Sequence, residues 1–246
     1  MIKEVSATSN TVTYSQWGNA KLPEFSDRTA LLESRKVLGW AFQEYGDKVV
    51  YSCSFGVEGM VLIDLIYSIN KTASIIFLDT DFHFKETYEL IDRVEKRYPQ
   101  LKIIKEKPSL TPEQQAEKYG AELWKRRPDL CCRIRKIDPL AGRLKHYNAW
   151  ISGLRHEQSP LRRSVSFVNK DERFQSVKIC PLIHWKWTEI WDYVRKHDLP
   201  YNPLHDQNYP SIGCAYCTRP VKAGEDQRAG RWSAFDKTEC GLHLKG

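Results

Sequence analysis

The chain has 246 residues, 41% of them hydrophobic, enough for one large core or a core with a small appendage. No stretch reaches the ~18 apolar residues of a membrane span, and the opening MIKEVSATSNTVTYSQW holds no apolar run of signal-peptide length, so a cytoplasmic protein without a membrane partner is expected. The net charge of +7 asks for an anionic partner without choosing among nucleic acid, nucleotide and acidic protein. Seven cysteines, an odd number without an export signal, favour metal binding or thiol chemistry over a disulfide framework.

Residues 1–25 read as a polar, loosely ordered leader. Over 26–46, Leu31, Leu32, Leu38, Ala41, Phe42 and Tyr45 recur at near-helical spacing between Ser26 as a cap and Gly46 as a stop, which predicts an amphipathic helix. KVVYS then predicts a buried strand at 48–52, SCSFG a loop, and 57–69 an apolar helix. The strand SIIFLDT, a helix over 85–98 and the strand LKIIKEK continue the alternation, so the fold class is α/β with a parallel, doubly wound sheet. Ligands bind such sheets beyond the carboxyl ends of the strands. The loops SCSFG, LDTDFH and, after the short strand AWIS, SGLRHEQSPLRRS are therefore expected to face one crevice. A helix over 187–197 precedes a tail rich in Gly, Pro and Arg. The expected division is a leader (1–25), an α/β domain that includes the first cysteine pair (26–199), and a C-terminal cysteine-bearing arm (200–246) closing over it.

The cysteines fall into groups: adjacent Cys131 and Cys132, then Cys214 and Cys217 in Cys-x-x-Cys spacing, then Cys240 alone in TECGLH. Two tight pairs suit a metal site, and four thiolates serve zinc or iron alike. Adjacent ligands, with Cα atoms about 3.8 Å apart, crowd one zinc ion and sit more easily on two iron corners. Arg133, Arg135 and Lys136 follow at once, able to offset thiolate charge or simply to form a solvated basic face. Ser52, Ser54 and Gly56 lie between a strand and a helix start, where backbone N–H groups attract phosphate or sulfate; the plain alternative is a tight turn. Arg155, Arg162 and Arg163 on the third loop, and Arg219, Lys222, Arg228 and Arg231 on the arm, can close on a dianion, although any one of them alone reads as surface arginine. Cys240, without a partner cysteine, is a candidate reactive thiolate that nearby cations such as His243 or the arm's arginines would favour. Cys53 and Cys180 lie in apolar runs and read as core.

Taken together, CCRIRK with a downstream PL, YPSIGCAYCTRPV, AGRW and the terminal ECGLH, supported by SFGVE, FLDTDFHFKETY and WISGLRHEQSP, resemble the assimilatory adenylyl-sulfate reductases, the iron–sulfur branch of the sulfonucleotide reductases. The resemblance runs from about Val49 to Leu244. It implies a sheet of the adenine nucleotide α-hydrolase-like type, a 4Fe–4S cluster on Cys131, Cys132, Cys214 and Cys217 with Lys136 beside it, and Cys240 as the catalytic nucleophile. It also implies that Ser52, Ser54 and Gly56 bind phosphate, that Arg155, Arg228 and Arg231 grip the substrate, and that His243 belongs to the terminal motif. The implied reaction reduces adenylyl sulfate, with 3′-phosphoadenylyl sulfate as a second substrate, to sulfite, through an S-sulfocysteine cleared by thioredoxin or glutaredoxin, in sulfate assimilation toward cysteine. Two positions depart from the pattern: Tyr216 where many relatives carry proline, and Asp81 where the second loop usually carries glycine.

Two other classes share parts of this pattern. An ATP-dependent tRNA-thiolating or pyrophosphatase enzyme would carry SGG-x-DS where this chain has SFGVE. A zinc-stabilised nucleic-acid-binding module would need a contiguous basic stripe, whereas here acids interleave the cations, so no nucleic-acid partner is expected. The sequence leaves a homo-oligomer open.

Overall fold

The protein is described by a computed structural model, covering residues 11–233, 235, 237, 239, 241 and 242. Helix α1 (Ala30–Tyr45) starts later than the sequence suggests, because extended Thr29, not Ser26, is its N-cap: the Thr29 hydroxyl accepts from the Leu32 N–H at 3.3 Å. It stops at Gly46, whose φ of +51° suits glycine. Its buried stripe is Ser34, Val37, Leu38, Ala41 and Tyr45; Leu32 lies off it and is exposed. Within the leader, Val12 is held in place. Val12 is buried, its N–H donates to Glu44, and its carbonyl accepts from the Tyr45 hydroxyl at 2.6 Å.

Six strands form one sheet: β1 (Val49–Cys53), β2 (Ser74–Leu78), β3 (Lys102–Glu106), β4 (Ala149–Ile151), β5 (Val168–Asp171) and β6 (Ser176–Ile179). Their order is β3-β2-β1-β4-β6-β5, parallel throughout except for β5, which pairs antiparallel at the edge. Helices α2 (Val57–Ile69) and α3 (Lys85–Arg97) make the crossovers, and α8 (Trp187–Lys196) follows β6. The chain steps outward from β1 through β2 to β3 and then returns to place β4 on the other side of β1. That reversal opens a crevice at the carboxyl ends of β1 and β4, the expected place for a ligand.

Between β3 and β4 the chain is helical: α4 (Pro112–Tyr119), α5 (Leu123–Arg126), α6 (Pro128–Cys132), a π-helical turn (Arg133–Ile137) and α7 (Asp138–Leu144). The larger core gathers α1, α2 and α3 against the sheet through residues such as Leu38, Leu62, Ile75, Leu90 and Ile151; a smaller one places Leu140, Leu144 and Trp150 on the other face. Cys53 and Cys180 belong to the larger core, and burial pushes their thiols up to about 12 and about 11. No helix of the described residues is long and apolar enough to cross a membrane.

Candidate active site

The first wall of the crevice is the loop after β1. Phe55 takes a left-handed φ of +56° and buries its ring edge-on against Phe77, 5.5 Å between centroids. Such a conformation costs a bulky residue about 1–2 kcal/mol, and core packing holds it. The turn leaves Ser52, Ser54 and Gly56 on the crevice wall. Gly56 precedes α2, and among the described residues no side chain caps that helix, so its amino end is available to an anion. The helix can approach β1 closely because residue 59 is glycine: a Cβ there would lie 2.8 Å from the Cys53 sulfur.

The second wall is the loop after β4. Arg155 lines the crevice but is only 1% exposed, and its guanidinium is engaged internally. Nε and Nη2 donate to Glu58 at 3.1 and 2.9 Å, and Nη1 donates to Glu157 at 2.8 Å, while the guanidinium lies over Trp187. Gln158 donates to the same Glu58 oxygen at 2.9 Å. Two carboxylates balance the Arg155 charge, so this arginine braces the β4 loop against the first turn of α2 more than it offers charge to a ligand. Glu58 carried no role in the sequence reading. Its place in the first turn of a helix facing the crevice was the available signal.

The third wall is the loop after β2. Asp81 has a φ of +57°, the conformation glycine supplies at no cost, so the loop keeps its turn despite the substitution. Its carboxylate accepts from Lys107 at 2.9 Å and from fully buried Arg135 at 3.3 Å, and Arg135 also donates to the Thr80 carbonyl and lies 4.2 Å over the Phe82 ring. Asp81→Ala is expected to destabilise the protein by about 2–3 kcal/mol, through left-handed strain and a buried arginine losing its carboxylate. Asp81→Gly, free of the strain, should lose about 1 kcal/mol less. Urea unfolding of the two variants measures the difference. His83, beyond this turn, lines the crevice with Nε2 2.9 Å from the Leu78 carbonyl. Burial, and then the Lys136 charge, lower its pKa to about 4, so it is neutral near pH 7.

The arm closes the crevice. Ala215 donates to the Phe82 carbonyl at 2.7 Å, and Cys214 bridges to His83, tying the second cysteine pair to the β2 loop. Arg228 and Arg231 line the crevice with Ser211 and Gly213. Arg231 crosses so close to Gly213 that a Cβ there would lie 2.2 Å from Nη2. Its Nη1 donates to Ser211 at 3.2 Å, and its buried Nε has no hydrogen-bond partner among the described residues. A half-buried guanidinium with an unmatched donor suits an incoming oxyanion.

Below this wall Cys131 and Cys132 are buried at the end of α6, and the π-helical turn that follows sends Arg135 under the β2 loop while Lys136 reaches the crevice. π turns are often functional. Burial, then the charges of Cys214 and Cys217, push the Cys131 thiol up to about 11. The Cys217 thiol is raised by burial and by Cys214, and Lys136 and Arg231 oppose the rise. Cys131 packs in one cluster with Cys214, Phe82, Leu123 and Ile134, so one member of each cysteine pair lies in the same packed unit. The Thr80 hydroxyl is 3.3 Å from the Cys214 sulfur. Among the described residues no three His, Cys, Asp or Glu side chains gather tightly enough to hold a single metal ion. Tyr216, 59% exposed, stacks on Trp124 at 4.2 Å, with Phe82 edge-on to both, so an aromatic layer covers the second pair.

The profile of the family described as the phosphoadenosine phosphosulfate reductase domain matches residues 48–220. The chain belongs to this family. A Halalkalibacterium halodurans protein named adenosine 5′-phosphosulfate reductase is 64% identical over 211 residues, covering 86% of this chain and 91% of that one. One of the same name from Staphylococcus haemolyticus is 59% identical, covering 95% and 97%. Among solved structures, a phosphoadenylyl-sulfate reductase from Candida auris, as a phosphate complex, superposes with a TM-score of 0.65 at 29% identity, over 82% of this chain and all of that one. A Candida glabrata FMN adenylyltransferase, at 16% identity, 88% and 78% coverage and a TM-score of 0.55, shares the fold.

In this phosphosulfate reductase family member, Ser52, Ser54, Gly56, Lys136, Arg155, Arg228 and Arg231 all line the one crevice. Arg162 also reaches it, but as the partner of Glu239. Arg163 and Lys222 are exposed and do not line the crevice. Cys240 and His243 lie outside the described residues. The sequence reading assigned no role to Gln158, Trp187 and His205, which also form the wall.

Proposed function

We propose that this chain reduces adenylyl sulfate to sulfite and AMP, with Cys240 as nucleophile and a reduced dithiol protein, thioredoxin or glutaredoxin, as electron donor. The observation that carries the reading is the crevice itself: an uncapped helix start on one side, Lys136, Arg228 and Arg231 on the other, in a chain 55–64% identical to proteins named adenosine 5′-phosphosulfate reductase. The Cys240 thiolate attacks the sulfate sulfur, the phosphosulfate S–O bond breaks, and AMP leaves with the bonding electrons. Arg231 and Arg228 hold the anion, and Lys136 meets the charge that grows on the leaving phosphate oxygen. A thiolate of the donor then attacks the Cys240 sulfur; sulfite departs with the electron pair of the S–S bond, and the donor's second thiol resolves the mixed disulfide. The two electrons come from the dithiol, which ends as a disulfide.

Cys131, Cys132, Cys214 and Cys217 are the residues to hold a 4Fe–4S cluster. The fit rests on donor chemistry, four thiols in two tight pairs with the adjacent pair suited to separate iron corners, and is supported by the packing of Cys131 with Cys214 and by the charges of Lys136 and Arg231 acting on Cys217. The cluster would supply structural and electrostatic support and need not change redox state. A brown protein absorbing broadly near 400 nm separates this reading from colourless zinc.

Adenylyl sulfate is the expected preferred substrate. Of the cations that could meet a 3′-phosphate, Arg162 is neutralised by Glu239, and Arg163 and Lys222 stand exposed away from the crevice. Without a productive phosphate contact the 3′-phosphorylated nucleotide should be used about ten- to a hundredfold less efficiently. The ratio of the two kcat/KM values at one salt concentration, with saturating reduced thioredoxin, measures this. A preference for 3′-phosphoadenylyl sulfate would overturn the substrate while leaving the Cys240 chemistry in place.

A further inference from the structure

Helix α4 is polar along its length, PEQQAEKY, and among its residues, all of them described, the buried one is an amide: Gln115, 2% exposed. The helix start fixes which face it presents. Thr111 and Gln114 close a capping box, the Thr111 hydroxyl accepting from the Gln114 N–H at 3.2 Å and the Gln114 side chain accepting from the Thr111 N–H at 3.0 Å, with Pro112 in the first turn. Gln115 is thereby turned inward, and its Nε2 donates to the Cys131 sulfur at 3.9 Å. Its Oε1, also buried, has no hydrogen-bond partner among the described residues. Burying an amide without full compensation is unfavourable, and these surroundings are mostly apolar: Cys131 lies with Phe82, Leu123 and Ile134, and Leu110, Tyr119 and Trp124 pack on that cluster. If packing were the only demand, an apolar side chain of the same volume would serve.

A neutral thiol is a weak acceptor, whereas a metal-bound thiolate carries charge and accepts strongly. The buried amide therefore matches a Cys131 that bears negative charge. We propose that Gln115 is a positioning residue for the metal site, its amide N–H donating to the Cys131 thiolate, fixing that ligand's orientation and taking up part of its charge. The proposal rests on the reading of Cys131 as a ligand. Tyr216 stacked on Trp124, with Phe82 edge-on to both, covers the same packed unit, and a hydrogen bond in such a low-dielectric place is stronger than one in water. Partners that orient a metal ligand are worth about ten- to a hundredfold in metal affinity, and donors to the sulfurs tune a cluster's electronic properties.

The test uses the holoenzyme and two variants, Gln115→Met, which keeps the unbranched shape without a donor, and Gln115→Leu, which decides the matter if the first does not fold. Iron release to an excess of chelator is followed well below the thermal midpoint, beside the visible spectrum and the urea midpoint. Each variant should release iron about ten- to a hundredfold faster than the parent chain. Its thiolate-to-iron charge-transfer absorption should also move to longer wavelength, because a thiolate that has lost its donor gives up electron density more readily. Unchanged release with unchanged absorption would overturn the proposal. So would faster release that tracks a lower urea midpoint while the absorption stays in place, which would make Gln115 a packing residue. If the parent chain holds zinc instead of iron, the cluster reading fails, and zinc release from the same variants still decides whether Gln115 supports the Cys131 thiolate. A parent chain without bound metal would overturn both.

Discussion

Cys240→Ser is expected to lower sulfite release by roughly a thousandfold or more, because a serine hydroxyl at neutral pH carries almost no anion and makes a poor leaving group for the second step. Bound iron, thermal midpoint and AMP affinity should stay near those of the parent chain. The separation follows from placement: the cations that hold the anion, Arg228 and Arg231, are on the arm and the uncapped helix start is at Gly56, none of them depending on the sulfur of residue 240. Loss of iron in this variant would move Cys240 into the ligand set. Retained activity would remove it from the chemistry.

Alanine at Cys131, Cys132, Cys214 or Cys217 should have the other signature, a loss of bound iron together with a loss of stability. The first pair lies at the foot of the π-helical turn that bears Arg135 and Lys136, and Cys214 of the second is bridged to His83 on the β2 loop. A group that binds only the folded state stabilises it by about 2.7 kcal/mol when present at a hundred times its Kd, so loss of the cluster lowers the thermal midpoint by several degrees. The crevice should weaken with it, since Lys136 and the β2 loop hang from this unit. Iron analysis with thermal melts checks each variant, and a variant with unchanged iron leaves the ligand set.

Strands β1, β2 and β4 were legible because each is an apolar run followed by a turn, and burial on both faces leaves little alternative, whereas parallel strand β6, SVKI, was not predicted. Helix α2 matches its expected bounds, 57–69, for the same reason. Edge strand β5, VNKD, has one apolar residue and is held by its ladder to β6, a partner supplied by tertiary structure. The short helices between 112 and 144 escaped because none spans enough turns for periodicity to speak. At the site, motif residues were correctly gathered to one crevice, but how each charge is used was not legible. Arg155 read as a substrate arginine, and it is Glu58, 97 residues away, that takes up its guanidinium. Arg162 read as an arginine able to close on a dianion, and Glu239, 77 residues away, neutralises it. Pairings across that distance are set by the fold and leave no local pattern in the chain.

The covalent step gives the most direct measurement. Holoenzyme mixed with adenylyl sulfate in the absence of any dithiol should release one AMP per chain and leave one sulfonate on the tryptic peptide 238–245, which contains Cys240. Reduced thioredoxin should then remove it as sulfite. AMP release with no sulfonate on that peptide, or a sulfonate carried by another cysteine, would contradict the account.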